Sequence, residues 1–575
     1  QRQGVYKLDA HVAMIRESDI VALDIESIGL GGEIIGAGFS TSHATASFVS
    51  PSVLRAIYPH IKHPVWFNAT YDLQYFPVAL RYQPVDDAML MAYVLGRGKV
   101  RQKEDGDDNI EGLNLIALAS REFGAAWPSV RELIQQYGSI EAVPREVLME
   151  KGCKDADYTR RLYVVYRREL EQRGLMQVYD RAKRLRPILH RMEDTGMVLD
   201  TEYLQGLRTS MEQESTAITQ TCRQLVREDF NPRSDIQVSS ALLDRGVRLT
   251  TRTKGGRYST KQSVLSTIED ELVDNILRLR HVEKLLSYVH VLCNTTDSCI
   301  HTHFNQASTA SERLSSSRPI NLQNIPSKDN IVEKAFVPPL GYVLGVVDAS
   351  QIELRGLAEL SGDAGMIEAF KNNEDIHART ARQIFHVDNP TPTQRYIGKT
   401  LNFATTYGAD VGKIRELLGC SAKEALEFKG LLDKAYTGIP IYRRTIIDRL
   451  ISEERAVGAF GFERRFPGFN YYRERTKASA IREAFDHVIQ NTAVSIVFQI
   501  MLDLDAELQG RGIIVVNQIH DSIMFYYPLT RQQDYDIIRE EITTMFNESA
   551  SRVCVGWSTP ITFETKLGPN WAEVQ

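Results

Sequence analysis

IIVVNQIHDSIMFYY, residues 513–527, reads as strand, tight turn, strand, with His520 and Asp521 at the bend. A second stretch, YVLGVVDASQIELR (342–355), is an apolar strand that ends in Asp348, where a buried sheet meets solvent. Two aspartates at the ends of neighbouring strands come within reach of shared divalent ions, and hard Mg²⁺ or Mn²⁺ prefers such oxygen ligands. Between the two strands the chain reads as a mostly helical block.

Working outward, TPTQRYIGKTLNFATTYGAD (391–410) places Arg395, Lys399, Phe403 and Tyr407 in i, i+4 steps. Each step drifts by about 40° on an α-helix, so the four form one broad face about 18 Å long. A purely structural helix would put apolar residues there. Two cations followed by two aromatics instead match a nucleotide, triphosphate first and sugar and base after, and the helix N-terminus favours the phosphates. Upstream, QASTASERLSSSRPINLQNIP (306–326) is rich in Ser, Arg and Asn beyond what a core requires. The stretch RGVRLTTRTKGGRYSTKQ (245–262) carries six basic residues and no acid. Its bland reading is a solvated loop.

The first third mixes strands such as DIVALDIES (19–27) and HPVWFNATYD (63–72) with helices such as EGLNLIALASREFG (111–124), an α/β pattern. Residues 97–111 read as a charged, solvated loop. Residues 166–196 read as one long helical stretch with a Thr-Gly stop, and the domain boundary is placed near 180. In VALDIES, strand alternation turns Asp24 and Glu26 to one face.

With 575 residues, 43% hydrophobic and 25% charged, the chain is a large soluble globular protein of about four domains or lobes, which excludes disorder, collagen and membrane spanning. The 68 Lys and Arg against 74 Asp and Glu leave −6, so a nucleic-acid site must come from local basic clusters. Six cysteines without a C-x-x-C argue against a disulfide framework or zinc and for a reducing compartment. No apolar run approaches the roughly 18 residues of a spanning helix, and the start has neither an apolar leader nor Met, which suggests a trimmed or processed fragment.

Taken together, the strings around Asp348 and Asp521 resemble motifs A and C of a family A DNA polymerase, the group of bacterial polymerase I and its phage relatives. Residues 391–410 resemble its motif B, with Ala404 in place of the usual Gly. The resemblance runs to the C-terminal KLGPNWAEVQ, with no 5′-nuclease domain ahead of it. It implies an α/β, ribonuclease H-like 3′→5′ exonuclease domain (1–180). An α+β polymerase domain (181–575) follows with the right-hand architecture: thumb about 195–300, palm about 301–370 and 500–575, fingers about 371–499.

The resemblance makes Asp348 and Asp521 the metal-bridging acids, with Lys399 catalytic. Arg395, Lys399, Phe403, Tyr407, Glu353, His377 and Gln351 would contact the nucleotide. Arg313, Gln490, Arg482, His520 and Asn324 would contact DNA. Asp24, Glu26, Asp72 and Asp155 would hold the exonuclease metals. Three further positions depart from the pattern: Ser522 follows Asp521 where Glu is usual, Asp486 stands for Asn, and Lys151 stands where a Tyr helps to orient water. The implied cofactors are two Mg²⁺ or Mn²⁺ ions per active site. The partners are primer-template DNA and deoxynucleoside triphosphates, bound by a monomer in the cytoplasm, or the host's cytoplasm for a phage enzyme. The basic loop falls in the thumb, and no long insertion for a processivity partner interrupts it.

A single-subunit RNA polymerase shares several of these residues, but Glu353 and the exonuclease signature oppose it. A silent DNA-binding scaffold, or an exonuclease with a degenerate polymerase domain, would not need Asp348, Lys399 and Asp521 together.

Overall fold

The computed structural model describes residues 2–28, 32–101, 109–253, 255–295, 297–326, 330–406, 408, 411–530 and 534–574. Apolar runs near the N-terminus build a five-stranded sheet from β1 (Val21–Ser27), β2 (Ile34–Ser42), β3 (Thr45–Val49), β4 (Pro64–Trp66) and β5 (Asp86–Asp87). Its order is β3-β2-β1-β4-β5. β1 runs antiparallel to β2 and parallel to β4. Helix α1 (Arg145–Gln172) lies on this sheet at unusually short range. A Cβ on Gly38 of β2 would meet the Gly152 carbonyl oxygen at 2.0 Å, and one on Gly152 would meet the Glu26 side chain at 3.3 Å. Two glycines therefore bring this helix face onto the carboxylates of β1.

The single helix expected over 166–196 is two. α1 ends at Gln172, and α2 spans Met176–Thr195. Gly174, at φ 68°, closes the first helix. Its N–H bonds the Glu171 carbonyl at 3.2 Å and the Leu175 N–H bonds that of Leu170 at 2.8 Å, the paired bonds of a Schellman cap. Hydrophobic period continues through such a break, which hides it in the sequence. The expected loop at 97–111 also differs: Lys99–Arg101 pairs antiparallel with Asn109–Glu111, so a hairpin flanks residues 102–108, which lie outside the described residues. Along α2, Val178, Tyr179 and Ala182 belong to the N-terminal core, while Leu185, Ile188, Leu189 and Met192 belong to the next. The chain thus changes core within one helix.

Beyond it, α3 (Thr201–Leu225) and α4 (Glu271–Cys293) pack along each other. A four-stranded antiparallel sheet follows, built from β6 (Tyr342–Ala349), β7 (Ile514–Ile519), β8 (Ser522–Pro528) and β9 (Phe563–Gly568), in the order β7-β8-β6-β9. Alternation on β6 sends Val343 and Val347 to one core and Leu344 and Val346 to the other, which leaves Asp348 on the second face at the strand end. Helices α5 (Ile352–Ser361), α6 (Ile376–Phe385) and α7 (Pro392–Thr406) share a third core with the first half of α8 (Glu474–Gly510), and α9 (Tyr535–Val553) packs on α8 and β9. Among the described residues no helix is long and apolar enough to cross a membrane.

Candidate functional site

Asp348 sits where β6 emerges, paired in register with Ser522 of β8 and Glu564 of β9. The β7–β8 turn carries His520 at φ 53° and then Asp521, whose carbonyl accepts the Ala349 N–H at 3.3 Å. The two aspartates therefore meet at one end of the sheet. Burial, and after it the Asp521 charge, push the Asp348 carboxyl up to about 6. Burial also raises Asp521. A carboxylate whose ionisation its neighbour's charge disfavours suits a divalent cation, which would relieve the repulsion. Ser522, in place of a third acid, donates its hydroxyl to the Ile519 carbonyl at 3.0 Å and serves the turn.

Helix α7 presents Arg395, Lys399 and Phe403 one turn apart, as expected. Tyr407 lies outside the described residues. The Lys399 ammonium is 5.9 Å from the Phe403 ring centroid, and His377 of α6 packs against the same ring at 5.8 Å. A cavity of ≈ 850 Å³ opens here, with Lys399, Phe403, Arg482 and Asp486 in its wall. Arg395 donates to Asp375 at 2.6 Å. Asp375 also caps α6 and so ties the two helices together, a contact the sequence reading missed although the acid precedes His377 by two residues. Burial, with the charges of Arg395 and Lys399 adding to it, lowers His377 to about 4, against the opposing pull of Asp375. It is therefore a neutral imidazole, facing the Asn402 amide at 3.0 Å.

Of the other expected residues, Gln351 is the left-handed residue (φ 54°) that starts α5. Glu353, in the first turn of α5, accepts from Arg313 at 2.7 Å, so two of the expected residues are joined directly. Gln490 donates to Asp486 at 2.9 Å on α8, and Arg482 lies one turn before Asp486. Asn324 ends a short turn whose carbonyl accepts from Tyr288 of α4 at 3.0 Å. His520 is exposed. In the basic stretch, Arg252 bridges to Tyr258, and Arg252, Arg257 and Lys261 line a cavity of ≈ 830 Å³ with Arg233 and Arg280 from outside the stretch. Lys254 lies outside the described residues.

In the N-terminal domain, ligand oxygens of Asp24, Glu26 and Asp155 fall within 4.8 Å of one another. Asp72 borders them without joining that set. Its carboxylate is held by the Ile25 N–H at 2.9 Å, and burial raises it well above the usual range. Lys151 is buried, and its ammonium donates to Glu26 at 2.8 Å and to Asp155 at 2.5 Å. Burial opposes that charge, yet Asp155, Asp24 and Glu26 together hold the ammonium well above lysine's ordinary value. The Lys-x-x-x-Asp spacing on a helix signals such a pair. The other Asp155 oxygen accepts from the Trp127 indole at 2.6 Å. Tyr158 does not reach the acids but stacks on Trp127 at 4.8 Å. Of the four acids expected here, Asp24, Glu26 and Asp155 gather with the Lys151 ammonium among them, and Asp72 stands beside them.

The family model for DNA polymerase family A matches residues 201–573. A thermostable DNA polymerase I of Thermus thermophilus is 31% identical over 509 residues, covering 85% of this chain and 55% of that protein. The DNA polymerase I of Pseudomonas aeruginosa is 28% identical, covering 98% of this chain and 65% of that protein. The chain thus spans between about half and two thirds of the length of these relatives. A solved structure described as the POL domain of Pol1 from M. smegmatis, in complex with DNA primer-template and dNTP, superposes with a TM-score of 0.81 at 23% identity. That match covers 99% of this chain and 98% of that one.

Proposed function

The chain belongs to DNA polymerase family A, and on that premise we propose that it extends a primer 3′ end with deoxynucleotides directed by a DNA template. The observation that carries this reading is the meeting of Asp348 and Asp521 at one sheet end, each raised by burial. These two would hold a pair of Mg²⁺ or Mn²⁺ ions. When bound, the ions supply deprotonation of the 3′-hydroxyl and neutralisation of the leaving pyrophosphate, chemistry carried over from two-metal polymerases in general.

The chain's own groups do the rest. Arg395 and Lys399 bind the triphosphate, with Lys399 placed to offset charge on the leaving group. His377, neutral, offers a hydrogen bond to a phosphate. Phe403 supports the sugar, Tyr407 the base, and Gln351 adds a further contact to the nucleotide. Glu353 stands under the sugar and leaves no room for a 2′-hydroxyl. Arg313, Gln490, Arg482, His520 and Asn324 position the primer-template, and the basic thumb stretch adds sequence-independent phosphate contacts that weaken with salt.

Residues 1–180 are proposed as a ribonuclease H-like domain of the 3′→5′ exonuclease type. Support comes from its mixed sheet order and the gathering of Asp24, Glu26 and Asp155. Glu353 and this domain both speak against an RNA polymerase. Primer extension on a DNA template, run with deoxy- or ribonucleotides, tests the reading. Deoxynucleotides should be added, and Asp348→Ala and Asp521→Ala should each reduce the rate by several orders of magnitude while primer-template binding stays near normal. Extension by either variant at the parent rate would reject the assignment.

A further inference from the structure

We infer that the ammonium of Lys151 stands in the place a divalent ion would take, so that the N-terminal carboxylates form a self-neutralised site that holds no metal and degrades no 3′ end. This rests on reading residues 1–180 as an exonuclease-type domain and concerns what that domain does.

The carboxylates do not fit an ion as they stand. An ion bridging Glu26 Oε1 and Asp155 Oδ2 would lie where the Lys151 ammonium already sits, at 2.8 and 2.5 Å from them. Metal–oxygen distances are shorter, about 2.0–2.1 Å for Mg²⁺, so ion and ammonium cannot share the gap. Both Asp155 oxygens are already engaged, one by Lys151 and the other by the Trp127 indole. Asp72 is engaged by the β1 backbone. Asp24 keeps one buried oxygen with no hydrogen-bond partner, but an ion held there would meet Glu26 and Asp155 oxygens that Lys151 and Trp127 already engage.

Nor can the lysine readily withdraw. It lies one turn before Asp155 on α1, the helix that Gly38 and Gly152 let down onto the sheet, and it is only 9% exposed. Swinging it out would leave three carboxylates with oxygens within 4.8 Å of one another and no cation between them. An ammonium neutralises acids as an ion does, but it has no open coordination position to bind and polarise a water. The domain therefore keeps the acids as structure. Its other contacts agree with that role, since Arg181 of α2, which continues its core, is locked to Glu312 in the polymerase part.

The test uses the full chain carrying Asp348→Asn and Asp521→Asn, which removes the polymerase carboxylates. Mn²⁺ is titrated, and free ion is read by electron paramagnetic resonance. Adding Asp24→Ala should leave the uptake unchanged. Adding Lys151→Gln instead should create a saturable Mn²⁺ site that Asp24→Ala abolishes. The same Lys151→Gln chain should melt lower in EDTA than its parent and recover with Mn²⁺, to which the parent's melting is indifferent. Unsubstituted protein incubated with primer-template and no nucleotide should leave the primer intact.

If Asp24→Ala removes a Mn²⁺ site from the parent, the lysine does not displace metal and the inference fails. If Lys151→Gln folds and gains no site, these acids are not a metal-binding set. The reading of the domain then falls, and this inference with it. Should Lys151→Gln not fold, the comparison of the parent with Asp24→Ala decides alone.

Discussion

Asp348 and Phe403 show what single side chains contribute. With its carboxyl near 6 instead of 3.8, Asp348 binds protons more readily in the folded than in the unfolded chain over that interval. Its contribution to stability is therefore present in acid and is lost as pH rises from about 4 through 6. Metal-free protein should show that slope in its melting temperature, and Asp348→Asn should flatten it. Metal binding runs the opposite way, because ions must displace the proton. Mn²⁺ affinity at the polymerase site should weaken by up to roughly tenfold per pH unit below 6. Phe403 carries no hydroxyl, so a dideoxynucleotide gains nothing to replace its missing 3′-OH. A hydrogen bond to a charged partner is worth about 1.5–3 kcal/mol, or roughly ten- to more than a hundredfold. Phe403→Tyr should recover much of that deficit, read as the ratio of dideoxy to deoxy incorporation under single-turnover conditions. An unchanged ratio would remove Phe403 from the sugar.

Helix α7 depends on how closely it can approach α6. Gly398 directly precedes Lys399, and a Cβ there would meet the His377 carbonyl oxygen at 2.4 Å and the Ala381 nitrogen at 3.1 Å. Backbone cannot yield as a side chain does, so Gly398→Ala must push the helices apart. That shift would carry Lys399 and Phe403 away from His377, and Arg395 from Asp375. The variant should fold with a melting temperature lowered by several degrees, consistent with a cost of about 1–3 kcal/mol for overpacking. Its KM for nucleotide should rise more than its Kd for primer-template. Equal effects on both would mean that the contact serves the general fold.

Across the whole molecule, buried ions tie the two parts together. Both Arg181 nitrogen–oxygen contacts to Glu312 are short, 2.8 and 2.6 Å, and Asn491 and Ser495 of α8 complete the Glu312 carboxylate at 3.0 and 3.2 Å. Arg181 is 3% exposed, so removing its partner leaves an uncompensated buried charge. Glu312→Ala should destabilise the protein by about 3–5 kcal/mol in urea unfolding, with Glu312→Gln losing less because it keeps hydrogen bonds. A loss below about 1 kcal/mol would show that Arg181 finds water instead.

The local periodicities of the sequence alone determined the strand ending at Asp348, the turn at His520 and Asp521, the helix bearing Arg395, Lys399 and Phe403, and the strand bearing Asp24 and Glu26. Each is a property of neighbours along the chain, where apolar spacing and turn residues act within a few positions. The break at Gly174 escaped because a Schellman cap interrupts the backbone without interrupting the hydrophobic period. The hairpin flanking residues 102–108 escaped because charge hid its pairing. Only the tertiary structure decided how far the Lys151 ammonium lies from Glu26, 125 residues away, or that Asp375 holds Arg395 and Arg313 holds Glu353. Such contacts depend on how near two backbones can come, which glycines such as Gly38, Gly152 and Gly398 set, and no spacing along one strand or helix encodes that distance.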